Sequence, residues 1–337
     1  MRTSMSTGVW IGRLASWLLL GLLPGCVIVN ADFGPFSSRP QSLSEREVSG
    51  KGRAKIVVLD ISRVITNAQD EGPLGLSSRP GLTARLREEL EQAADDDRVG
   101  AVVLRLNSPG GTVTASDTIY HEITAFKAKR NVPVVAHMLD FATSGAYYVA
   151  LAADEIVASP TTVTGSIGVI MVGLNLSDLM GKIGVRNQTL KTGARKDAGS
   201  PLRPMTAEDE ALLQGVLDGM QQRFVSLVRE RRPQMSDDDL AKISDGRVVL
   251  ADEALRIRLV DRIGYFEDAV DVARRRAGVA EARVIMYRRP SEYAENIYSR
   301  AGAASPQINL VNLDLGKLTG GPQFLYLWAP EAGMAPP

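Results

Sequence analysis

The sequence predicts an α/β protein with a parallel sheet, and three observations carry that expectation. Short β-branched runs, "AKIVVLDI" (54–61), "VGAVVLRLN" (99–107) and "VPVVAHML" (132–139), alternate with stretches of helical period. Helix starts follow them: Thr114 with Asp117, and Thr206 with Asp209, have the spacing of capping boxes. Apolar residues then recur at helical intervals, as at Ile119, Ile123 and Phe126.

Composition sets the outer bounds. The 337 residues carry 39 basic and 39 acidic side chains, so no whole-molecule field points to nucleic acid. With 45% hydrophobic and 23% charged residues the chain is globular in character and long enough to bury a core.

Taken in order, residues 1–26 read as an export signal: Arg2 and Arg13 precede an apolar core at 14–23, and no acid appears before Asp32. The segment ends Leu23-Pro24-Gly25-Cys26, which resembles the bacterial lipobox, although Pro24 is an unusual occupant. Cys26 is the only cysteine, so no internal disulfide competes for it and lipidation gives the thiol a use. An uncleaved signal anchor continuing through residues 27–29 is the alternative, because the apolar stretch approaches spanning length. Either way the bulk of the chain is expected outside the cytoplasm and attached to a membrane. Val27, in place of an aspartate, points to the outer membrane of a two-membrane bacterium.

Residues 27–53, rich in Ser, Pro, Gly and charge, read as a flexible tether, and a single catalytic domain is expected over 54–282. Within it, the small residues of 145–153 suit a tightly packed helix. The longest helix is expected from Thr206, with the stripe Leu213, Val216, Leu217, Met220, Phe224 and Leu227. "SDDDLAKI" (236–243) and "ADEALRIRLVDRIG" (251–264) read as short capped helices around the turn at Asp245-Gly246. Residues 283–337 form a C-terminal extension whose run "GGPQFLYLWAP" (320–330) is expected to pack on the domain or on a neighbouring subunit.

Two stretches after predicted strands invite a catalytic reading. In "NSPGG" (107–111) paired glycines can aim backbone N–H groups at a developing oxyanion, or merely make a tight turn. In Thr143-Ser144-Gly145 the serine is either an N-cap or a nucleophile, and a nucleophilic hydroxyl needs a base. The two histidines, His121 in a helix and His137 in an apolar strand, read as structural, which leaves lysine. The loop at 190–206, between a strand and the long helix, offers Lys191 and Lys196. A lysine base must be neutral, which takes a lowering of about 3 pKa units, or roughly 4 kcal/mol, mostly from desolvation. Surface lysines without that burial stay charged.

"NSPGG", "TSGAYYVALAADEIVASPTTVTGSIGVI", "KTGARKDAGSP" and "DGRVVLADEALRIRLVDRIG" occur in this order. Together they resemble the signal peptide peptidase A family of serine-lysine proteases over roughly residues 56–272. The resemblance implies Ser144 as nucleophile, Lys196 as general base 52 residues later, and Ser166 as the hydroxyl that orients the lysine amine. It implies an oxyanion hole from Gly111 and the N–H of Gly145, and it gives Lys191 no catalytic role. It also implies a Clp protease/crotonase-like fold of repeated ββα units, ring or dome oligomers, no cofactor or metal, and apolar signal peptide remnants as substrates. The family's familiar members use a transmembrane helix, so a lipid on Cys26 and an outer-membrane site would favour a more general quality-control role. Two other classes stay open: a crotonase-like acyl-CoA enzyme, which export disfavours, and a catalytically silent binding lipoprotein.

Overall fold

In the computed structural model, residues 42–68, 70–71, 78–289 and 323–328 are described. Strand β1 (Ser44–Gly50) leads into β2 (Ala54–Ser62), the short pair β3 (Asp70–Glu71) and β4 (Ser78–Arg79), and helix α1 (Leu82–Ala94). Then come β5 (Val99–Ser108), β6 (Gly110–Thr112), α2 (Val113–Arg130), β7 (Val134–Thr143), α3 (Gly145–Ala150), β8 (Glu155–Ala158) and β9 (Val163–Gly165). The chain continues through β10 (Ile170–Val172), α4 (Ser177–Lys182), α5 (Ala207–Arg231), α6 (Asp237–Ile243) and β11 (Val248–Leu250). It closes with α7 (Ala251–Arg256), β12 (Arg262–Ile263), α8 (Phe266–Arg276), β13 (Ala282–Arg288) and β14 (Gln323–Leu327).

The predicted apolar runs become the centre of a sheet because their side chains alternate between two dry faces. The strand order is β1-β13-β2-β5-β7-β8-β12, with β9 added to β7 and β11 to β9. Neighbours from β13 to β12 along that order are parallel. On one face Val57, Leu59 and Ile61 of β2 and Val102, Leu104 and Leu106 of β5 pack with Leu86 and Leu90 of α1 and Ile119, Ile123 and Phe126 of α2. On the other, Ile56, Val58, Ala101 and Val103 meet Phe266, Ala269, Val272 and Ala273 of α8. Full burial of each large aliphatic is worth about 1.5–3 kcal/mol, so these two faces hold the domain together. Asp60 and Arg105, opposite one another in the β2/β5 register, meet at 2.8 Å, so these buried charges are paired.

The α/β class and the single sheet-rich domain are as expected, and strand pairs followed by a helix recur at β5–β6–α2 and β9–β10–α4. Several boundaries differ. The tether is a strand over Ser44–Gly50: β1 pairs antiparallel with β13 as an exposed edge, held by main-chain bonds that leave no apolar period. The expected boundary at residue 283 cuts through β13, which lies between β1 and β2. Helix α2 is capped by Thr112, which accepts from Ala115 N, and not by Thr114. Thr206 and Asp209 do form the capping box of α5. That helix buries Leu213, Phe224 and Val228, whereas Val216 of the expected stripe is exposed. The loop with the candidate lysines follows helix α4, not a strand.

The N-terminal segment Met1–Gln41, including Cys26, lies outside the described residues, as do 290–322. Among the described residues no helix is long and apolar enough to cross a membrane.

Candidate active site

Strand β7 ends beside β9, with Thr143 opposite Gly165, and the next residue, Ser144, donates its backbone N–H to the Gly165 carbonyl at 2.8 Å. Ser144 sits at φ 52° and ψ −115°, a conformation that side chains other than glycine rarely adopt and that costs about 1–3 kcal/mol. It occupies the N-cap position of α3, yet its side chain makes no capping hydrogen bond. Ser144 is therefore the N-cap residue by position, with Tyr148 N–H donating to its carbonyl, but its side chain does not cap the helix. Its Oγ is buried and has no hydrogen-bond partner among the described residues. A strained strand-to-helix turn of this kind aims a hydroxyl away from its own backbone.

Helix α3 is buried along its whole length and anchors the turn. Tyr147 donates its hydroxyl to the Leu259 carbonyl at 2.9 Å, and Tyr148 donates to Asp117 at 2.6 Å. Arg223 also reaches Asp117, at 2.6 Å. Burial raises the Tyr148 phenol well above its ordinary pKa, with Asp117 adding to the effect. The aromatic half of "SGAYY" is thus structural support for the serine.

The glycine turn arrives from β5 and β6. Gly110 has φ 102°, and a Cβ there would lie 2.8 Å from Gly145 N. A Cβ on Gly145 would lie 3.2 Å from Gly111 N, and one on Gly111 only 1.9 Å from the Ile65 carbonyl oxygen. Side chains are excluded so that the main chains of 110–111 and 145 can meet beside Ser144. Ser166 belongs to the same place: it follows Gly165 in the strand paired with β7, is buried, and has φ 53°. Its N–H donates to the Arg247 carbonyl at 2.7 Å. Ser144, Gly145, Gly111 and Ser166 are therefore brought together.

Lys196 is not brought to them within this chain. It is exposed, in a turn where its N–H donates to the Gly193 carbonyl at 3.1 Å. Lys191 is occupied otherwise, bonded to the Ala194 carbonyl at 2.9 Å and to Asp197 at 2.7 Å. Arg203 joins Asp197 at 2.8 Å and also binds Asp209 of the α5 capping box. Arg203, then Lys191, hold the Asp197 carboxyl well below the usual carboxylate range. These bonds give the lysine loop a defined shape at its C-terminal side.

The histidines stand aside as the sequence suggested. His137 is buried in β7, its Nε2 3.3 Å from Ser159 Oγ and its ring edge-on to Phe266 at 5.8 Å. Burial pushes its pKa down to about 4. His121 lies on the exposed side of α2. Sequence reasoning missed the Asp117–Tyr148–Arg223 network and the location of β14, which pairs with β6 at the glycine turn. Both depend on contacts between distant segments; Asp117 entered the sequence reading only as a capping residue.

Comparison with known proteins bears on the family of the chain. Residues 126–280 match the family described as Peptidase family S49. The chain is 33% identical to the "Putative signal peptide peptidase SppA" of Enterococcus faecium, covering 85% of this chain and 84% of that one. It is 30% identical to the "Serine protease SPPA, chloroplastic" of Arabidopsis thaliana over 75% of this chain and 37% of the plant protein. Among solved structures, a mutant of ClpP1 from Listeria monocytogenes superposes with a TM-score of 0.40 at 16% identity, covering 63% of this chain and 94% of that one. The chain belongs to peptidase family S49, the signal peptide peptidase A family, and is a serine-type peptidase.

Proposed function

We propose that this chain is an endopeptidase with a serine-lysine dyad, in which Ser144 Oγ attacks the peptide carbonyl and Lys196 is the general base. One observation carries the reading: Ser144 is held in a strained turn with a buried Oγ that neither caps α3 nor has a hydrogen-bond partner among the described residues. Strain of this kind persists where the surroundings impose it, and functional sites are where it collects. A free hydroxyl beside two glycine backbones has the parts acyl transfer needs.

In the proposed sequence, neutral Lys196 Nζ takes the Ser144 proton as the Oγ–C bond forms. The carbonyl electron pair moves to oxygen, opposite the N–H groups of Gly111 and Gly145. Collapse of this intermediate breaks the C–N bond, and the leaving amine receives the proton from the Lys196 ammonium. Water, deprotonated by the now neutral Lys196 amine, then attacks the acyl ester; the ester C–O bond breaks, the Lys196 ammonium returns the proton to Ser144 Oγ, and the acid product leaves. The Ser166 hydroxyl orients the Lys196 amine.

For this to occur the arm formed by residues 170–205 has to change its surroundings. It exposes Leu174, Leu179, Ile183, Val185 and Leu190, an apolar series that a second copy of the chain would cover. Homo-oligomerisation is therefore proposed as the step that desolvates the lysine. The substrates are proposed to be exposed apolar peptides, such as signal peptide remnants, met outside the cytoplasm. The membrane attachment is proposed to run through a lipid on Cys26 or an uncleaved anchor, with the outer membrane favoured by Val27.

A mixed peptide library incubated with the purified full chain tests the reading, with cut sites identified by mass spectrometry. Internal cuts that disappear in Ser144→Ala are expected; the same cuts from Ser144→Ala would overturn it.

A further inference from the structure

The two N–H groups read as the oxyanion hole stand at the beginnings of two different helices. Gly145 opens α3, and Gly111 immediately precedes Thr112, the N-cap of α2. The distance between the two donors is therefore a property of how α2 packs on α3. A single oxygen has to lie about 2.7–3.1 Å from both, and a site of this kind works only when its supports hold it to within about 0.5 Å.

Two contacts near the starts of α2 and α3 fix that packing. Ser116 is fully buried and donates its hydroxyl to the Thr112 carbonyl at 3.0 Å, and a Cβ on Gly145 would come within 2.4 Å of its Oγ. Ser116 is thus a stop that keeps α3 from coming nearer. The Tyr148 hydroxyl donates to Asp117 at 2.6 Å, the length of a charge-assisted O–H···O⁻ bond, and holds the helices together. Tyr148 is also joined to the residue that carries the nucleophile, since its N–H donates to the Ser144 carbonyl at 2.9 Å. Arg223 binds the same Asp117 oxygen through Nε at 3.2 Å and Nη2 at 2.6 Å, which fixes the carboxylate's direction.

Little of this serves the stability of the domain. The side chains of Asp117 and Arg223 are 37% and 62% exposed, and ion pairs in such surroundings contribute little. The Tyr148 ring, by contrast, is buried against Tyr120 at 5.6 Å and Phe224 at 5.1 Å. Phenylalanine in its place keeps that packing and removes only the hydroxyl.

We infer that Asp117 and Tyr148 are positioning residues for peptide cleavage, and that their hydrogen bond, working against the stop at Ser116, sets the separation of the Gly111 and Gly145 N–H groups. This role rests on the reading of Ser144 as nucleophile and of the two glycines as its oxyanion hole. Without the bond α3 is held only on one side, and the Gly145 N–H can withdraw from the oxyanion. The transition state then loses stabilisation that the bound substrate never had, and a displacement of about 1 Å costs roughly a hundredfold in rate.

The test compares variants of the full chain on one fluorogenic peptide, with rates referred to sites titrated by a fluorophosphonate so that unfolded chains do not count. Tyr148→Phe and Asp117→Leu are each expected to lower kcat roughly tenfold or more and to leave KM within about twofold. A peptide aldehyde, whose adduct with Ser144 places its oxygen in the hole, should bind more weakly by a similar factor. Asp117→Asn keeps an acceptor for the phenol and should stay within about threefold of the native kcat. The double variant Tyr148→Phe with Asp117→Leu should be no slower than the slower single one, because both remove the same bond. Native kcat in Tyr148→Phe, equal losses in Asp117→Asn and Asp117→Leu, or a rise in KM alone would overturn the proposal. If Tyr148→Phe does not fold, Asp117→Leu against Asp117→Asn decides, since both keep the buried ring. Ser144→Ala is assayed alongside: cleavage that survives it sinks the nucleophile and the positioning role together. An inactive Ser144→Ala beside a fully active Tyr148→Phe sinks the positioning role alone.

Discussion

The backbone N–H of Ser144 donates to the Gly165 carbonyl at 2.8 Å, and both Ser144 and Ser166, the residue after that carbonyl, lie at positive φ. Two strained serines at the joined ends of neighbouring strands are not needed to make a sheet. Their shared position ties the segment "TSG" to the segment "TGSIG", 22 residues later by their serines.

Substitutions at Ser144 should separate strain from chemistry. Ser144→Ala is expected to lower peptide cleavage by roughly 10⁴-fold or more while changing stability by less than about 1 kcal/mol. Ser144→Gly should be equally inactive yet more stable than Ser144→Ala by about 1 kcal/mol, because glycine accepts this backbone without strain. Thermal denaturation of the two variants checks the order; equal midpoints would mean the positive φ stores nothing.

The two candidate lysines should behave oppositely. Lys196→Ala removes an exposed side chain, so its melting temperature should match the native chain, while cleavage falls roughly 10³-fold or more. Lys191→Ala frees Asp197 from one of its two cations and should keep activity within about tenfold. Initial rates on one fluorogenic peptide, measured at a concentration where the chain is assembled, make the comparison.

Gly111 should tolerate no side chain. A Cβ would lie 1.9 Å from a backbone oxygen, which cannot rotate away, so Gly111→Ala is expected to destabilise by about 1–3 kcal/mol or more. Gly173→Ala, where a Cβ meets nothing within 4 Å, is the control and should stay within about 0.5 kcal/mol. Chemical denaturation of both variants gives the difference directly.

Acid sensitivity should trace to His137. Its folded pKa is pushed down to about 4 by burial, against about 6.5 for an unfolded histidine. Below pH 6.5 the unfolded chain takes up this proton and the folded chain does not, so stability falls as pH drops from about 6.5 towards about 4. The full effect is about 3 kcal/mol, and His137→Gln should lose that slope even if it starts less stable. Denaturation midpoints at several pH values between 7 and 4.5 would show it.

The parts legible in the sequence were those that burial writes into composition. The runs that became β2, β5 and β7 are apolar because both faces are covered, and the small residues after Ser144 are small because α3 is buried throughout. Edge strand β1 left no such mark, since most of its side chains face water and its place is fixed by main-chain pairing and a few polar contacts such as Glu45 with Lys55. The cap at Thr112 was misplaced by two residues because both threonines can cap and the β6 turn decides. Exposure of Val216 and Lys196 could not be read either: an apolar stripe or a lysine looks the same whether a domain or a second chain covers it.

The most direct measurement is the site of covalent labelling by a fluorophosphonate, read by peptide mass spectrometry in the native chain, Ser144→Ala and Lys196→Ala at one pH. A single adduct on Ser144, absent from Ser144→Ala and at least a hundredfold slower in Lys196→Ala, is the expected result. An unmodified Ser144, or a Lys196→Ala chain labelled at the native rate, would contradict the serine-lysine dyad.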